Sequence, residues 1–305
     1  MSDAFAYKTA AAFDAALKAR VAEAAEMSSH TIDELRRQFG YDRLLSRIFS
    51  THANTWVLKG GTGMLARLPS RARHTQDIDL YFRGELTAAS AVLLAAAAID
   101  LADFFSFAIE PRSDLAGLTR GKRFAVTAYI GARQFAQFGI DVVVASNMTG
   151  EPESMQHLSP IHIVGLLTSD YRVYPIVDHI ADKHAAMLET YGDDRPSTRF
   201  RDLVDLVLIA TTQRPRATDL HAAMTSEYAH RRLTAPTEVT LPSAAWHDGY
   251  AKAVAGIPGL RHQTADAALD VVKKMLDPVL AELATGVWDP EALAWRDDLG
   301  KRHNP

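Results

Sequence analysis

The sequence predicts an α/β fold in which helices pack on a sheet of mixed direction, followed by a mainly helical C-terminal domain. Short runs of β-branched and aromatic residues recur between residues 56 and 146, with helical segments among them, and this alternation predicts the sheet. From about residue 160 onward the apolar residues recur mostly at helical spacing, which predicts the second domain. We therefore assign residues 1–165 to the first domain and residues 166–305 to the second.

Each predicted element has a local signal. Residues 8–27 and 31–49 carry apolar residues at helical spacing, and Thr31 with Glu34 resembles a capping box. The segments that follow are, in order, a strand at TWVL, a turn and short helix at GTGMLARL, a strand at DIDLYF, a helix over residues 86–103, and strands at FFSFAIE, RFAVTAYIG and FAQFGIDVVVAS. The clearest helices of the second domain are IVDHIADKHAAMLETY and RFRDLVDLVLIATTQ.

The composition is that of an ordinary soluble globular protein. The chain has 305 residues, of which 48% are hydrophobic and 23% are charged, so it can bury a substantial core. It contains no cysteine, which excludes disulfides, thiolate zinc sites and cysteine nucleophiles. Because neither a signal peptide nor an apolar run of membrane-spanning length is visible, we expect a cytoplasmic protein with no membrane partner.

The charge balance gives no global attraction to nucleic acid, because the formal net charge is −4. A polyanionic partner would therefore have to bind a local basic patch. The candidate basic residues nearest to the motifs described below are Arg71, Arg73, Lys122 and Arg123.

A glycine turn and a pair of aspartates lie close together in WVLKGGTGMLARLPSRARHTQDIDLYF, residues 56–82. A glycine turn between a strand and a helix exposes backbone N–H groups, which bind phosphate readily. Asp77 and Asp79 are two positions apart in an alternating strand, so their side chains share a face and can hold a divalent metal ion. Each signal is weak alone, and two solvated aspartates at a sheet edge are the alternative.

A third carboxylate, that of Asp141, follows Ile140 and precedes three valines, where an unpaired charge would be costly to bury. It needs a cation or hydrogen-bond partners. Three carboxylates on adjacent strands beside a phosphate-binding turn are the layout of two-metal nucleotidyl transfer. Asp77, Asp79 and Asp141 are therefore the predicted ligands of Mg²⁺ or Mn²⁺, and an Asp141 that is only hydrogen-bonded is the alternative.

The helical half adds a second group of charged residues. Lys183 lies on an amphipathic helix, four residues after His179. Arg199, Asp202 and Asp205 line one side of another helix that soon becomes wholly apolar. Charges that lead into a buried helix indicate a facing polar cleft, although a solvated surface lysine is the alternative for Lys183.

These motifs together resemble those of a known family. The segment LKGGTGM, then Arg73-x-Thr75-x-DIDL, then a strand carboxylate, a helical lysine and RFRDLVDL follow one another over residues 56–210, in the order found in AbiEii-type nucleotidyltransferase toxins, including the MenT group. The folds of this family resemble the polymerase-β-like nucleotidyltransferases. The resemblance implies a domain of that kind in the N-terminal half, and a helical domain that contributes Lys183 and Asp205 to the cleft.

The resemblance also implies roles for individual residues. Asp77 and Asp79 are implied as catalytic metal ligands, Lys183 as a catalytic contact to the triphosphate, and Asp205 as an essential acidic group. The nucleotide-binding residues that the motifs imply are Lys59, Gly60, Gly61, Thr62, Arg73, Thr75, Arg199 and Asp202.

The function that follows is a Mg²⁺-dependent transfer of a nucleoside monophosphate from an NTP to an acceptor, with release of pyrophosphate. The family resemblance implies an RNA acceptor, the 3′ end of tRNA, and a growth-inhibiting toxin with a cognate antitoxin. Two alternatives remain. In the first, the enzyme transfers the nucleotide to a small molecule or a protein. In the second, the chain is a catalytically inactive module that binds nucleotide or antitoxin.

Thr75 suggests a route of control. Its hydroxyl is two residues before Asp77, so on an extended chain it lies on the same side as the predicted metal ligands. A phosphoryl group there would add roughly −1.5 to −2 charge and repel an incoming triphosphate. We hypothesise that a partner silences the enzyme by phosphorylating Thr75, with Thr62 as a second candidate. A strand residue with a satisfied hydroxyl is the alternative for Thr75.

Overall fold

The chain forms two compact units. The first comprises Met1–Ser146 and Pro152–Tyr174, and the second comprises Asn147–Glu151 and Pro175–Pro305. The sequence predicts a boundary near residue 165, whereas this division keeps the stretch up to Tyr174 with the first unit. The structure is a computed structural model that describes residues 5–28, 30–69, 71–115, 120–144, 147–156, 158–255, 257 and 260–297.

The first unit has a mixed α/β architecture, as the sequence predicts. Its helices are α1 (Ala10–Glu26), α2 (Ile32–His52), α3 (Gly60–Arg67) and α4 (Leu86–Ala97). Its strands are β1 (Trp56–Leu58), β2 (Asp77–Phe82), β3 (Phe105–Asp114), β4 (Gly121–Ile130), β5 (Arg133–Val143), β6 (Glu153–Met155) and β7 (Tyr171–Val173).

These strands form one sheet in the order β3-β4-β5-β2-β1-β7-β6. Strand β2 is parallel to β5 and antiparallel to β1, and β1 is parallel to β7. The pairs β3-β4, β4-β5 and β6-β7 are antiparallel. The sheet is therefore of mixed direction, and β2, which carries the paired aspartates, lies near its centre.

The central strands bury one face and leave the other partly exposed. On β2, Ile78 and Leu80 are buried, whereas Asp77 and Asp79 are half-buried. Asp141 on β5 is also half-buried. Helix α2 packs against β1, β5 and β7, and it begins with the predicted capping box at Thr31. A buried face on a central strand thus leaves the carboxylates on the face that a ligand can reach.

Helix α4 ends earlier than the sequence predicts, at Ala97 rather than at residue 103. In the segment after this helix, the carboxylate of Asp103 is fully buried between Arg43 and Arg47 of α2. Burial and these two arginines set the pKa of Asp103, and the arginines outweigh burial, so the pKa lies below its usual value. A residue that the sequence predicts to be helical thus lies between α4 and β3 and pairs with both guanidinium groups.

The second unit is mainly helical, as predicted. Asp178 of its first helix accepts hydrogen bonds from the Thr149 N–H and hydroxyl and from the Gly150 N–H, all at 2.7–2.9 Å, and so attaches residues 147–151 to this unit. The helices are α5 (Ile176–Leu188), α6 (Phe200–Ala210), α7 (Ala217–Arg231), α8 (Ala245–Val254) and α9 (Ala265–Leu280). Two short hairpins are β8 (Thr190–Tyr191) with β9 (Arg195–Pro196), and β10 (Val287–Asp289) with β11 (Ala294–Arg296).

None of the helices in the described part of the chain combines the length and apolar character that crossing a membrane requires.

Candidate active site

The paired aspartates lie on the accessible face of β2. Alternation along this strand buries Ile78 and Leu80, so that Asp77 and Asp79 project together from the opposite face. The predicted shared face is therefore present in the structure. Two carboxylates with this spacing form a set of oxygen donors of the kind that Mg²⁺ prefers.

The neighbouring strand brings the third predicted carboxylate beside this pair. In the parallel pairing of β2 with β5, Asp79 is the register partner of Asp141, and Asp77 is the register partner of Gly139. Register partners on adjacent strands have side chains on the same face. The backbone thus places Asp77, Asp79 and Asp141 on one face of two adjacent strands, as the sequence predicts.

Two glycines leave the room that the carboxylates occupy. A Cβ at Gly139 would lie 2.3 Å from Asp77 Oδ1, and a Cβ at Gly60 would lie 1.9 Å from Asp79 Oδ2. Gly60 also has a φ of +54°, a conformation that favours glycine. The glycine turn therefore has a second task besides exposing N–H groups, because its lack of a side chain lets the Asp79 carboxylate lie against it.

Arg123 of β4 binds the third carboxylate. Its Nε and Nη2 donate hydrogen bonds of 2.7 and 2.6 Å to the two Asp141 oxygens. These hydrogen bonds, with the charges of Asp141, Asp77 and Asp79, raise the pKa of Arg123 above its usual value. The guanidinium thus stands in the field of all three carboxylates and meets the requirement for a partner that the sequence predicts for Asp141.

A binding site for a divalent cation is not preformed on this face of the sheet. Within the described ranges, no three His, Asp or Glu side chains are gathered closely enough to hold a metal ion. Asp77 and Asp79 fit such an ion by their chemistry and by the space beside Gly60 and Gly139. Asp141 already has a cationic partner, because each of its oxygens accepts a hydrogen bond from Arg123, so a metal ion would either share this carboxylate with Arg123 or displace that side chain.

The glycine turn is built as the sequence predicts, and α3 begins at Gly60 directly after β1. Lys59 Nζ lies 4.2 Å from the centre of the Tyr174 ring, a cation–π contact. The Thr62 hydroxyl donates to the Asp77 carbonyl oxygen at 3.1 Å and accepts from the Asp79 N–H at 3.3 Å. Thr62 therefore positions the aspartate strand, and its fully buried side chain excludes it as an accessible phosphorylation site in this structure.

Thr75 lies against the same turn. A Cβ at Gly61 would be 2.9 Å from Thr75 Cβ and 3.0 Å from its Oγ1. The Thr75 hydroxyl donates to the Asp77 carbonyl oxygen at 3.2 Å, and the Thr75 carbonyl oxygen accepts from the Tyr41 hydroxyl at 3.0 Å. This hydrogen bond from Tyr41 joins α2 to the start of β2.

The second unit gathers its predicted charged residues into one buried network. Lys183 Nζ donates to Asp205 at 2.6 Å and to Asp202 at 3.1 Å, and all three side chains are at most 5% exposed. Arg199 Nε donates to the other Asp202 oxygen at 2.5 Å. Lys183 is therefore a buried, paired cation, which excludes the alternative of a solvated surface lysine.

The four basic residues predicted near the site occupy different surroundings. Arg71 is exposed and Arg73 is half-buried, both in the stretch before β2. Lys122 is the register partner of Val142, and Arg123 that of Asp141, so Lys122 and Arg123 point to opposite faces of the sheet. Of these two, only Arg123 shares the carboxylate face.

Sequence reasoning did not assign three features of this region. Tyr41 gives no signal on an amphipathic helix, because its hydrogen bond to the Thr75 carbonyl oxygen arises only on folding. The Arg123 pairing with Asp141 depends on strand register, which the sequence alone does not give. Gly139 did carry a signal: a glycine two residues before a strand carboxylate marks close approach of another group.

A model of a known family matches residues 43–271, and its description is "Nucleotidyl transferase AbiEii toxin, Type IV TA system". The chain belongs to this family. The match contains every predicted site residue, so the AbiEii family covers both the aspartate strand and the Lys183 network. The protein is therefore a nucleotidyltransferase of the type IV toxin–antitoxin kind, with a nucleotide as substrate and an antitoxin as partner.

Two further comparisons accompany the AbiEii match. No curated protein matches the chain significantly. Among solved structures, one titled "Crystal structure of putative nucleotidyltransferase from H. pylori" matches with a TM-score of 0.46 and 16% identity, over 82% of this chain and 99% of that chain.

Proposed function

We propose that this AbiEii-family enzyme transfers a nucleoside monophosphate from an NTP to an RNA acceptor, the 3′ end of tRNA, in a reaction that requires Mg²⁺ or Mn²⁺. The observation that carries the proposal is the face shared by Asp77, Asp79 and Asp141. Two glycines leave room for the first two carboxylates, and a glycine turn of the kind that binds phosphate adjoins them.

The proposed reaction is a displacement at the α-phosphorus of the NTP. The acceptor hydroxyl oxygen forms a bond to that phosphorus, the bond to the bridging oxygen breaks, and pyrophosphate leaves. The hydroxyl proton passes to a carboxylate of the site or to water. A bound divalent cation would make the hydroxyl more acidic and neutralise the triphosphate, and Asp77 and Asp79 would hold it.

We assign the remaining predicted residues to nucleotide binding. In the first unit, the N–H groups at the start of α3 can bind phosphate, and Thr62 and Thr75 hold the glycine turn and the aspartate strand together. In the second unit, Lys183 and Asp205 are the proposed catalytic pair, as the family resemblance implies. The other proposed nucleotide-binding residues are Lys59, Arg73, Arg199 and Asp202.

The test is a labelling assay with purified protein, each labelled NTP in turn, Mg²⁺ and total RNA. We expect label to enter RNA, pyrophosphate to be released and a chelator to stop both. Asp77→Asn and Asp79→Asn keep the size of the side chain and remove its charge, so each should lower the rate by at least roughly 10²-fold. Asp33→Asn, an exposed residue of α2, is the matched control.

The outcomes separate the alternatives. Label in a protein or in a small molecule, with RNA unlabelled, would replace the RNA acceptor. NTP binding without pyrophosphate release would indicate an inactive nucleotide-binding module. Full activity in both aspartate variants, with the fold checked by thermal melting, would overturn the assignment of the site.

A further inference from the structure

A groove of about 570 Å³ extends over the sheet from Asp77. One row of register partners crosses it, from Asp77 on β2 through Gly139 on β5 and Ala125 on β4 to Glu110 on β3. With strands about 4.8 Å apart, this row is roughly 14 Å long. The floor of the groove is therefore longer than a single base and lies on the face that carries the three aspartates.

The groove lies on the opposite side of β2 from the glycine turn. The turn follows β1, whereas the groove is built on β5, β4 and β3, and β2 separates the two in the sheet order. A triphosphate bound at the turn would thus approach the aspartates from one side. A second substrate that reaches the same aspartates has the groove as its approach.

The lining combines a flat floor with two arginines, which are balanced by Asp77 and Glu110. Gly139, Ala125 and Ala108 give a floor without bulky side chains, on which flat rings can lie. Arg37 lies near the Asp77 end, since Tyr41, one turn further along α2, donates a hydrogen bond to the Thr75 carbonyl oxygen just before β2. Arg112 lies beside Glu110 at the other end. The polar side chains that complete the lining and can bind base edges are Gln76, Thr127 and Gln137.

From these features we infer that the groove binds the single-stranded end of the RNA acceptor, with its phosphates on Arg37 and Arg112 and its terminal hydroxyl directed toward Asp77. This inference rests on the proposed function for the identity of the acceptor. It adds a binding site that is separate from the glycine turn. It also assigns the main RNA phosphate contacts to Arg37 and Arg112 instead of Arg71, Arg73 and Lys122.

The exposed pair of Glu110 and Arg112 provides two variants that should change RNA affinity in opposite directions. Glu110 lies 3.4 Å from Arg112, and both side chains are more than half exposed, so the pair is weak and a phosphate can replace the carboxylate. Arg112→Gln should weaken binding of a short fluorescein-labelled oligoribonucleotide several-fold and reduce its salt slope by about 1. Glu110→Gln should tighten it.

A third variant leaves every charge in place. Ala125→Leu puts a larger side chain on the floor and should raise KM for tRNA, while the Kd for the NTP stays at the wild-type value. Arg83→Gln, an exposed arginine just beyond β2 that is absent from the groove lining, is the charge-matched control and should change nothing. Thermal melting of each variant checks the fold.

The outcomes distinguish this inference from the proposed function. If the wild type labels RNA but Arg112→Gln, Glu110→Gln and Ala125→Leu all match the control, the groove inference is wrong and the proposed function stands. If Ala125→Leu raises the Kd for the NTP instead, the groove takes the nucleotide. If the wild type labels no RNA yet binds the oligoribonucleotide in a manner sensitive to these variants, the groove stands and the proposed reaction fails.

Discussion

Arg123 donates two hydrogen bonds to Asp141, so that the third carboxylate of the site is held by a guanidinium group of the adjacent strand. The pair is unequal in exposure, since the Arg123 side chain is 48% exposed and that of Asp141 is 16% exposed. A divalent cation that takes Asp141 as a ligand has to compete with Arg123. We therefore expect Arg123 to lower the affinity of the free enzyme for the cation.

The first prediction follows from this competition. Arg123→Gln should increase the affinity for Mn²⁺, measured by titration in the absence of NTP. A half-exposed pair contributes about 0.2–1 kcal/mol, so the Kd should fall by no more than about fivefold. Arg83→Gln should leave the Kd unchanged. If Arg123→Gln weakens Mn²⁺ binding instead, Asp141 is not a ligand and its pairing is structural.

The second prediction concerns the space beside the aspartates. Gly139→Ala places a Cβ 2.3 Å from the present position of Asp77 Oδ1, so the carboxylate must turn away. Because Gly139 does not need a left-handed backbone, the fold should survive, and activity should fall with little change in Tm. Gly60→Ala should be worse, because it adds backbone strain at a φ of +54° to the contact with Asp79.

Gly192→Ala is the matched control for both glycine variants. It lies in the β8-β9 hairpin, and a Cβ there would meet no atom within 4 Å. Activity and Tm should both stay at the wild-type values. Wild-type activity in Gly139→Ala would show that the Asp77 carboxylate does not need its present position.

The local parts of this site were predictable from the sequence because their signals are local. Alternation along DIDLYF gave the shared face of Asp77 and Asp79, and the glycines after a strand gave the turn. The register of Asp79 with Asp141 was not predictable, because these strands are far apart in the chain and pair only in the folded sheet. The Arg123 pairing depends on a different register, that of β4 with β5, and it was missed as well.

The helical half shows the same limit. The spacing of Arg199, Asp202 and Asp205 on one helix was visible in the sequence, and so was Lys183 on another. What spacing cannot give is burial, and the structure shows that Lys183 is enclosed by two carboxylates rather than solvated. The same residues are therefore both a proposed part of the catalytic machinery and a support of the second unit.

The third prediction tests this double role. Lys183→Ala leaves two buried carboxylates without their shared cation, which typically costs about 3–5 kcal/mol and should lower Tm by roughly 6–20 °C. NTP affinity, measured well below the new Tm, should also fall. Lys252→Ala, an exposed lysine of α8, should change neither quantity. A lower Tm with unchanged NTP affinity would make the network purely structural.

The fourth prediction concerns Asp205 and separates charge from packing. Asp205→Asn keeps the shape of the side chain, and Lys183 keeps Asp202 as a partner. The decrease in Tm should therefore be smaller than for Lys183→Ala. Activity should nevertheless fall if Asp205 is an essential acidic group. Equal Tm losses in the two variants, with full activity of Asp205→Asn below its Tm, would contradict its catalytic assignment.

The last prediction concerns control through Thr75, whose side chain lies between the glycine turn and the aspartate strand. Its hydroxyl is 3.2 Å from the Asp77 carbonyl oxygen, and Gly61 lies against its Cβ and Oγ1. A phosphoryl group on Thr75 would therefore enter the space beside the turn and carry roughly −1.5 to −2 charge toward the position of the triphosphate. Thr62 offers no comparable access, because its side chain is fully buried.

We therefore expect Thr75→Glu to raise the Kd for the NTP and so to lose nucleotide transfer. Thr75→Ser retains the hydroxyl, so its transfer activity and its Kd for the NTP should stay at the wild-type values. Thr218→Glu, at an exposed position in the first turn of α7, is the control for an added charge. Co-expression with the antitoxin, followed by mass spectrometry of the inhibited protein, then asks whether Thr75 carries phosphate. Transfer by Thr75→Glu at the wild-type rate would exclude control by charge at this position. An inhibited protein without phosphate on Thr75 would instead require the antitoxin to act by binding, since the hydroxyl whose modification blocks the turn would have remained free.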